Sequence, residues 1–196
     1  TTPQVSSAAS DVYKRQTLHS ADALDFDFAS LATAGTRLRV VGNLPYNIST
    51  PLIFKLLEQA QIIIDMHFML QLEVVERLAA SPGSKDWGRL GVMAQFRCKV
   101  EQLFEVPPDA FYPPPKVRSA VVRLTPHPEL PFPNVDPTSL GRIVTQAFSQ
   151  RRKTLRNNFK GTLEDRDFGT LAINPSARAE TLSLADLVAI TLHLQG

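Results

Sequence analysis

The chain has 196 residues, 43% hydrophobic and 20% charged, with 21 Lys and Arg against 19 Asp and Glu for a formal net charge of +2. That length accommodates one good domain, or one domain with a small satellite. No apolar run reaches the roughly 18 residues of a membrane span, no secretory pattern is present, and the single Cys98 excludes an internal disulfide or a cysteine-rich zinc site. A reducing cytoplasm is the expected compartment, and no metal site is expected.

Residues 1–16 are rich in Ser, Thr and Ala and have neither helical nor strand periodicity, so they are expected to be a non-native or disordered leader. Thr17 to Ser20 reads as the end of a strand, with Asp22 in the loop after it, and Ala29 to Ala34 as a short connection. Arg37 to Gly42 is a predicted strand that empties into Asn43-Leu44-Pro45-Tyr46. Pro51 suits a first helical turn, and Leu52, Ile53, Leu56 and Leu57 form an apolar stripe down to about Gln59. A strand is predicted over Ile62 to Leu70, then helices over Glu73 to Ala80 and Gly88 to Phe96. Strands follow over Cys98 to Phe104 and Ser119 to Leu124. This alternation predicts an α/β layer with a largely parallel sheet over residues 17–125.

Five prolines between Thr125 and Pro137 predict a linker, 126–137. Residues 138–196 then carry helical signals only: Thr138 to Ser149, Arg152 to Phe159, a turn around Glu164 to Phe168, and Ser183 to Leu194. Ser183 and Asp186 resemble a capping box. From Arg151 to Lys160 there are five cations and no acid. Such a run is either a solvated helix face or a nucleic-acid contact.

The tetrapeptide at Asn43 carries the chemistry. An aromatic amino nitrogen is a poor nucleophile because its lone pair is delocalised into the ring. Two acceptors aimed at its hydrogens favour a more tetrahedral nitrogen, and the Asn43 side-chain oxygen and the Leu44 carbonyl are suited to this. Pro45 fixes the backbone, and Tyr46 offers a stacking face worth about 1–3 kcal/mol per base. A positively charged methyl donor then needs in-line placement rather than a strong general base. The same residues also make sense as a plain strand-to-helix turn. Phe111-Tyr112-Pro113-Pro114-Pro115-Lys116-Val117 is a stiff segment that either clamps an extruded base or covers a sheet edge. Asp22, as an acid beyond a strand end, is placed to meet a cofactor or simply to be solvated.

Four motifs occur in order: Ala21-Asp22-Ala23-Leu24, Val41 to Ile48, Phe111 to Ser119, and Ala147 to Asn158. Together they resemble the bacterial small-subunit (16S) rRNA adenine N6,N6-dimethyltransferase family, over about Thr17 to the C-terminus. The resemblance implies a class I S-adenosylmethionine-dependent methyltransferase fold, Rossmann-like and lacking its first strands here, followed by a small all-α RNA-binding domain. It implies dimethylation of two adjacent adenines near the 3′ end of 16S rRNA, in the assembling small ribosomal subunit, by a monomer. Catalytic roles fall to Asn43, Leu44, Pro45, Tyr46 and Phe111, and S-adenosylmethionine binding to Asp22, Ala23 and Asn43. RNA binding falls to Lys116, Arg118, Arg151, Arg152, Lys153, Arg156 and Lys160, with Arg123 a further candidate.

The family's glycine-rich loop and ribose-holding acid are expected upstream of Asp22, so this chain alone is expected to bind S-adenosylmethionine weakly and to be inactive. The competing readings are a non-catalytic RNA-binding assembly factor, a large-subunit rRNA resistance methyltransferase, and a DNA adenine methyltransferase.

Overall fold

The computed structural model describes residues 16–32 and 35–195. The expected leader lies almost wholly outside them. Thr17 to Ser20 is irregular rather than the end of a strand: no described strand lies beside it, and an extended segment without a ladder partner leaves its backbone groups to water. A 3-10 turn follows at Phe28–Leu31, started by Asp27, whose carboxylate accepts the Ala29 N–H.

Four strands form one sheet: β1 (Leu38–Asn43), β2 (Ile63–Gln71), β3 (Cys98–Val106) and β4 (Ser119–Pro126). Their spatial order is β1-β2-β4-β3. β1 and β2 are parallel, with Asn43 opposite Met69. β4 runs antiparallel to both of its neighbours, with Gln71 opposite Ser119 and Val106 opposite Ser119. The largely parallel sheet expected from sequence is therefore corrected. Strand–helix alternation does give β1, β2 and β3 a common direction, but β4 inserts between β2 and β3 against them, so only one of three pairings is parallel. Alternation constrains a strand's direction and is silent about its neighbour.

Helix α1 (Ser49–Glu58) links β1 to β2, and α2 (Leu72–Ala79) and α3 (Arg89–Arg97) link β2 to β3. Leu52, Ile53 and Leu56 from α1 and Val75 and Leu78 from α2 pack against Met66, Phe68, Val122 and Leu124 of the sheet. Helix α3 faces two ways: Leu90 and Ala94 join this core, while Val92 and Phe96 join a second one with Trp87. That second core is built on α4 (Pro137–Ala147), α5 (Leu155–Asn158), α6 (Asp165–Thr170) and α7 (Leu184–His193). Trp87 is buried there, and its indole N–H donates to the Leu182 carbonyl at 2.8 Å.

The proline-rich stretch is packed: Val135 is buried, and Leu130 and Phe132 rest on the second core. Pro126 ends β4 opposite Cys98, beyond the last β2 pairing at Leu124, so its missing N–H costs no bond to β2. The helix expected over Arg152 to Phe159 shortens to Leu155–Asn158. Its first amides find distant partners instead of a cap, Leu155 N–H donating to the Ala177 carbonyl at 2.8 Å and Arg156 N–H to the Pro175 carbonyl at 3.0 Å. The capping box at Ser183 and Asp186 is present, and Glu164 and Asp167 form a second one at the start of α6. No helix among the described residues is long and apolar enough to cross a membrane.

Candidate active site

Sheet register assembles the site. Because Asn43 ends β1 opposite Met69 and Ser119 begins β4 opposite Gln71, the loop after β1 and the segment before β4 meet at one end of the sheet. They enclose a cleft of about 410 Å³ lined by Asn43, Leu44, Pro45, Tyr46, Phe111, Tyr112, Pro113, Pro115 and Ser119. The five predicted catalytic residues thus line one cavity.

Leu44 anchors the loop. Its side chain is buried in the sheet core, and its N–H donates to the Met69 carbonyl at 3.4 Å. Gly42 makes room for it, since a Cβ there would lie 3.0 Å from Leu44 Cδ2 and 3.9 Å from Phe68 Cδ1. The loop then closes through Ile48 N–H to the Pro45 carbonyl at 3.2 Å. Ser49 Oγ also donates, to the Tyr46 carbonyl at 3.1 Å, and α1 starts there. With the apolar side chain buried and the backbone fixed, the Asn43 amide is exposed. Neither that amide nor the Leu44 carbonyl has a hydrogen-bond partner among the described residues. Two unengaged acceptors beside a cavity are what an amino-bearing base requires.

Tyr46 is 44% exposed and keeps its hydroxyl 3.5 Å from Ser119 Oγ. Phe111 is half-buried on the opposite lining segment, whereas Tyr112, across a cis bond to Pro113, is 100% exposed at the rim. Sequence reasoning missed Ser119, which is buried at the start of β4. Its role depends on β4 lying beside β2, and no local pattern carries that.

Asp22 does not line the cleft. It organises a turn: its Oδ1 accepts the Leu24 N–H at 2.8 Å, and its carbonyl accepts from Asp25 and Phe26. Lys55 of α1 reaches back to the Leu24 carbonyl, tying this turn and half-buried Ala23 to the helix that follows the loop. The Asp22 carboxylate is exposed, with no partner for Oδ2 among the described residues.

The cationic candidates divide. Arg118 pairs with Glu105, and Arg123 with Glu101 at 2.9 Å. Hydrogen bonds from Lys99 and Arg123 hold the Glu101 carboxyl below its ordinary range. Arg156 pairs with Asp165 at 3.0 Å, and Arg151 lies 3.8 Å from Glu180. Lys116, Arg152, Lys153 and Lys160 are exposed, without an acidic partner among the described residues. The basic segment runs from the α4–α5 connection through α5 to Lys160.

An α/β sheet that gathers an acceptor-bearing loop and two aromatic residues at the end of its first strand, with a helical module behind, has the S-adenosylmethionine-dependent methyltransferase fold. Residues 3–195 match the family model for ribosomal RNA adenine dimethylase, and the chain belongs to that family. It is similar to the ribosomal RNA small subunit methyltransferase A of Pseudomonas aeruginosa, 61% identical over 92% of this chain and 67% of that protein. The protein of the same name from Nitrosococcus oceani is 60% identical over 90% and 67%. The chain thus spans about two thirds of the length of these relatives. Among solved structures, a dimethyladenosine transferase from Plasmodium falciparum superposes with a TM-score of 0.79 at 23% identity, covering 96% of this chain and 76% of that one. The 23S rRNA methyltransferase ErmE gives 0.67 at 21% identity, covering 90% and 70%. These two establish likeness of fold.

Proposed function

We propose that the protein dimethylates the amino nitrogens of adenines in small-subunit ribosomal RNA, the two adjacent adenines near the 3′ end of 16S rRNA. The observation that carries this reading is the pair of unengaged acceptors, the Asn43 amide and the Leu44 carbonyl, in one cleft with Tyr46 and Phe111. An adenine drawn out of its stack lies between the two rings, its amino hydrogens directed at the two oxygens. These contacts strengthen as the nitrogen becomes tetrahedral, so they act on the transition state more than on the bound base.

S-adenosylmethionine, when bound, supplies an electrophilic methyl group on a positively charged sulfur. Exposed Asn43 fits a place between donor and base. The free Oδ2 of Asp22 fits an acceptor for the donor's adenine, with Ala23 beside it. Both residues have polar atoms that the fold leaves uncommitted. Lys116, Arg152, Lys153 and Lys160 are proposed to meet phosphates of the rRNA, with Arg118, Arg151 and Arg156 exchanging their acidic partners for phosphate. Sequence-independent contacts of this kind set orientation. A monomer working in the cytoplasm on the assembling subunit completes the proposal.

The test is to incubate unmodified small subunits and, separately, large subunits with the protein from its complete gene and to map dimethyladenine by mass spectrometry. Label confined to adjacent adenines of the small subunit is expected. Label in large-subunit RNA would replace this reading with the resistance-methyltransferase one, and binding without label would favour an assembly factor.

A further inference from the structure

A second, larger cavity lies away from the cleft, and no residue lines both. It is a groove of about 620 Å³ between α1, α3 and α4. Three guanidinium groups line it, Arg89 and Arg97 from α3 and Arg142 from α4, against one carboxylate, exposed Glu58 at the end of α1. None of the three arginines has an ion-pair partner among the described residues. Arg142 donates only to Ser139 Oγ, at 2.9 Å, and Arg89 stacks over the Phe54 ring at 5.2 Å. Asp136, just before the groove, feels the Arg142 charge, but its oxygens are taken by the Thr138 and Ser139 amides and it makes no ion pair with Arg142. Elsewhere, arginines at 39, 118, 123, 156 and 166 are matched to acids within about 3 Å, while Arg77, Arg152 and Arg178 have no such partner among the described residues but are not gathered in one groove. Leaving three unmatched in one concavity marks a site for an anion.

We propose that this groove holds phosphodiesters of the RNA substrate, as a second anchoring site apart from the base cleft; the proposal rests on the rRNA-methylating function given above. Two placements select RNA over a small anion. First, α1 begins at Ser49, directly after the catalytic loop, and its lining residues lie about 8–14 Å further along at 1.5 Å per residue, a few nucleotides' reach from the cleft. Second, the groove runs on toward the basic segment: Ser149 is in its lining, and Arg89 also lines a smaller pocket with Arg151. The groove therefore nears the basic segment at its Ser149 end, while Arg97, beside Cys98 at the start of β3, lies at the other end of the sheet from Ser119. An RNA whose target base occupies the cleft is long enough to lay an adjoining segment in the groove. The Phe54 ring, with Arg89 above it, adds a face on which a base or ribose can rest.

The test is the salt dependence of RNA binding. Arg97→Gln/Arg142→Gln removes two phosphate contacts, so the slope of log K against log salt should fall by about 1.4, at 0.7 per contact for single strands. Affinity for a 3′-terminal small-subunit rRNA fragment should drop about tenfold, and Arg97→Lys/Arg142→Lys should restore the slope. An unchanged slope and affinity in the Gln variant would overturn the proposal. So would lost binding to assembled subunits with naked RNA unaffected, which would make the occupant a protein. An unchanged slope with normal dimethylation would sink the groove alone. A normal slope effect with no dimethylation by the wild-type protein would sink the enzymatic reading and leave the groove standing.

Discussion

Replacing Gly42 by Ala tests whether the Asn43–Tyr46 loop is positioned by packing beneath it. The added methyl would sit 3.0 Å from Leu44 Cδ2, whereas carbon atoms rest about 3.5–4.0 Å apart. Leu44 must therefore move by about 0.5–1 Å. It is a core residue, only 9% exposed, and cannot swing into solvent without uncovering the sheet. Its displacement carries the Leu44 carbonyl and the adjacent Asn43 with it. A misplacement of about 1 Å costs on the order of 100-fold in rate, while overpacking of this kind costs about 1–3 kcal/mol, or about 2–12 °C of melting temperature at this size. Methyl transfer to unmodified small subunits should thus fall about 10- to 100-fold in a protein that stays folded at assay temperature. Adding Leu44→Val, which removes the clashing methyl, should recover part of the activity. If Gly42→Ala transfers at the wild-type rate, the loop is not held by Leu44 and the reasoning fails.

Further outcomes follow from other contacts. Gly91→Ala would place its methyl 2.6 Å from the Arg77 carbonyl, pushing α3 off α2. We expect a loss of about 1–3 kcal/mol by denaturant unfolding, and wild-type stability would show that the two helices are not in close contact. Asp136 is held below its ordinary value of 3.8 by hydrogen bonds from Ser139 and Thr138 and by Arg142, and Asp167 by those from Glu164 and His193 and by Arg166. Depressed folded values mean stability that is complete above the ordinary value and lost as pH falls through the depressed one. Asp136→Asn and Asp167→Asn should each flatten the acid side of the stability–pH curve below about pH 4, and curves parallel to wild type would contradict this. Burial pushes the Cys98 thiol up to about 12, against a smaller lowering by Arg97. Iodoacetamide at pH 8 should label it only on unfolding, and rapid native labelling would show the thiol exposed.

The sequence exposed the local features and missed the non-local ones. Strand β1, helix α1 and the Ser183 capping box declare themselves because their determinants lie within a few residues: an apolar run, an i to i+4 stripe, a Ser with an Asp three residues on. The acceptor pair at Asn43 and Leu44 was legible for the same reason, being adjacent in the chain. Insertion of β4 against β2 was not legible, because the pairing of Gln71 with Ser119 joins residues far apart in sequence. With it went Ser119 and the reason Phe111 and Tyr46 line one cleft. Helix α5 was overextended because its start depends on the carbonyls of Pro175 and Ala177, which no local pattern reveals. The groove at Arg97 and Arg142 was invisible for a related reason: each cation is isolated in sequence, and only the packing of α3 against α4 gathers them.

The central claim is that the Asn43 amide activates the adenine nitrogen. It is tested most directly by quantifying dimethyladenine in small-subunit RNA after incubation with the wild-type protein and with Asn43→Ala, each produced from the complete gene and matched for RNA binding. Losing one preorganised polar contact to the reacting centre costs about 10²–10³ in rate. The account predicts a fall of that size with RNA affinity unchanged. Dimethylation by Asn43→Ala at the wild-type rate would contradict it.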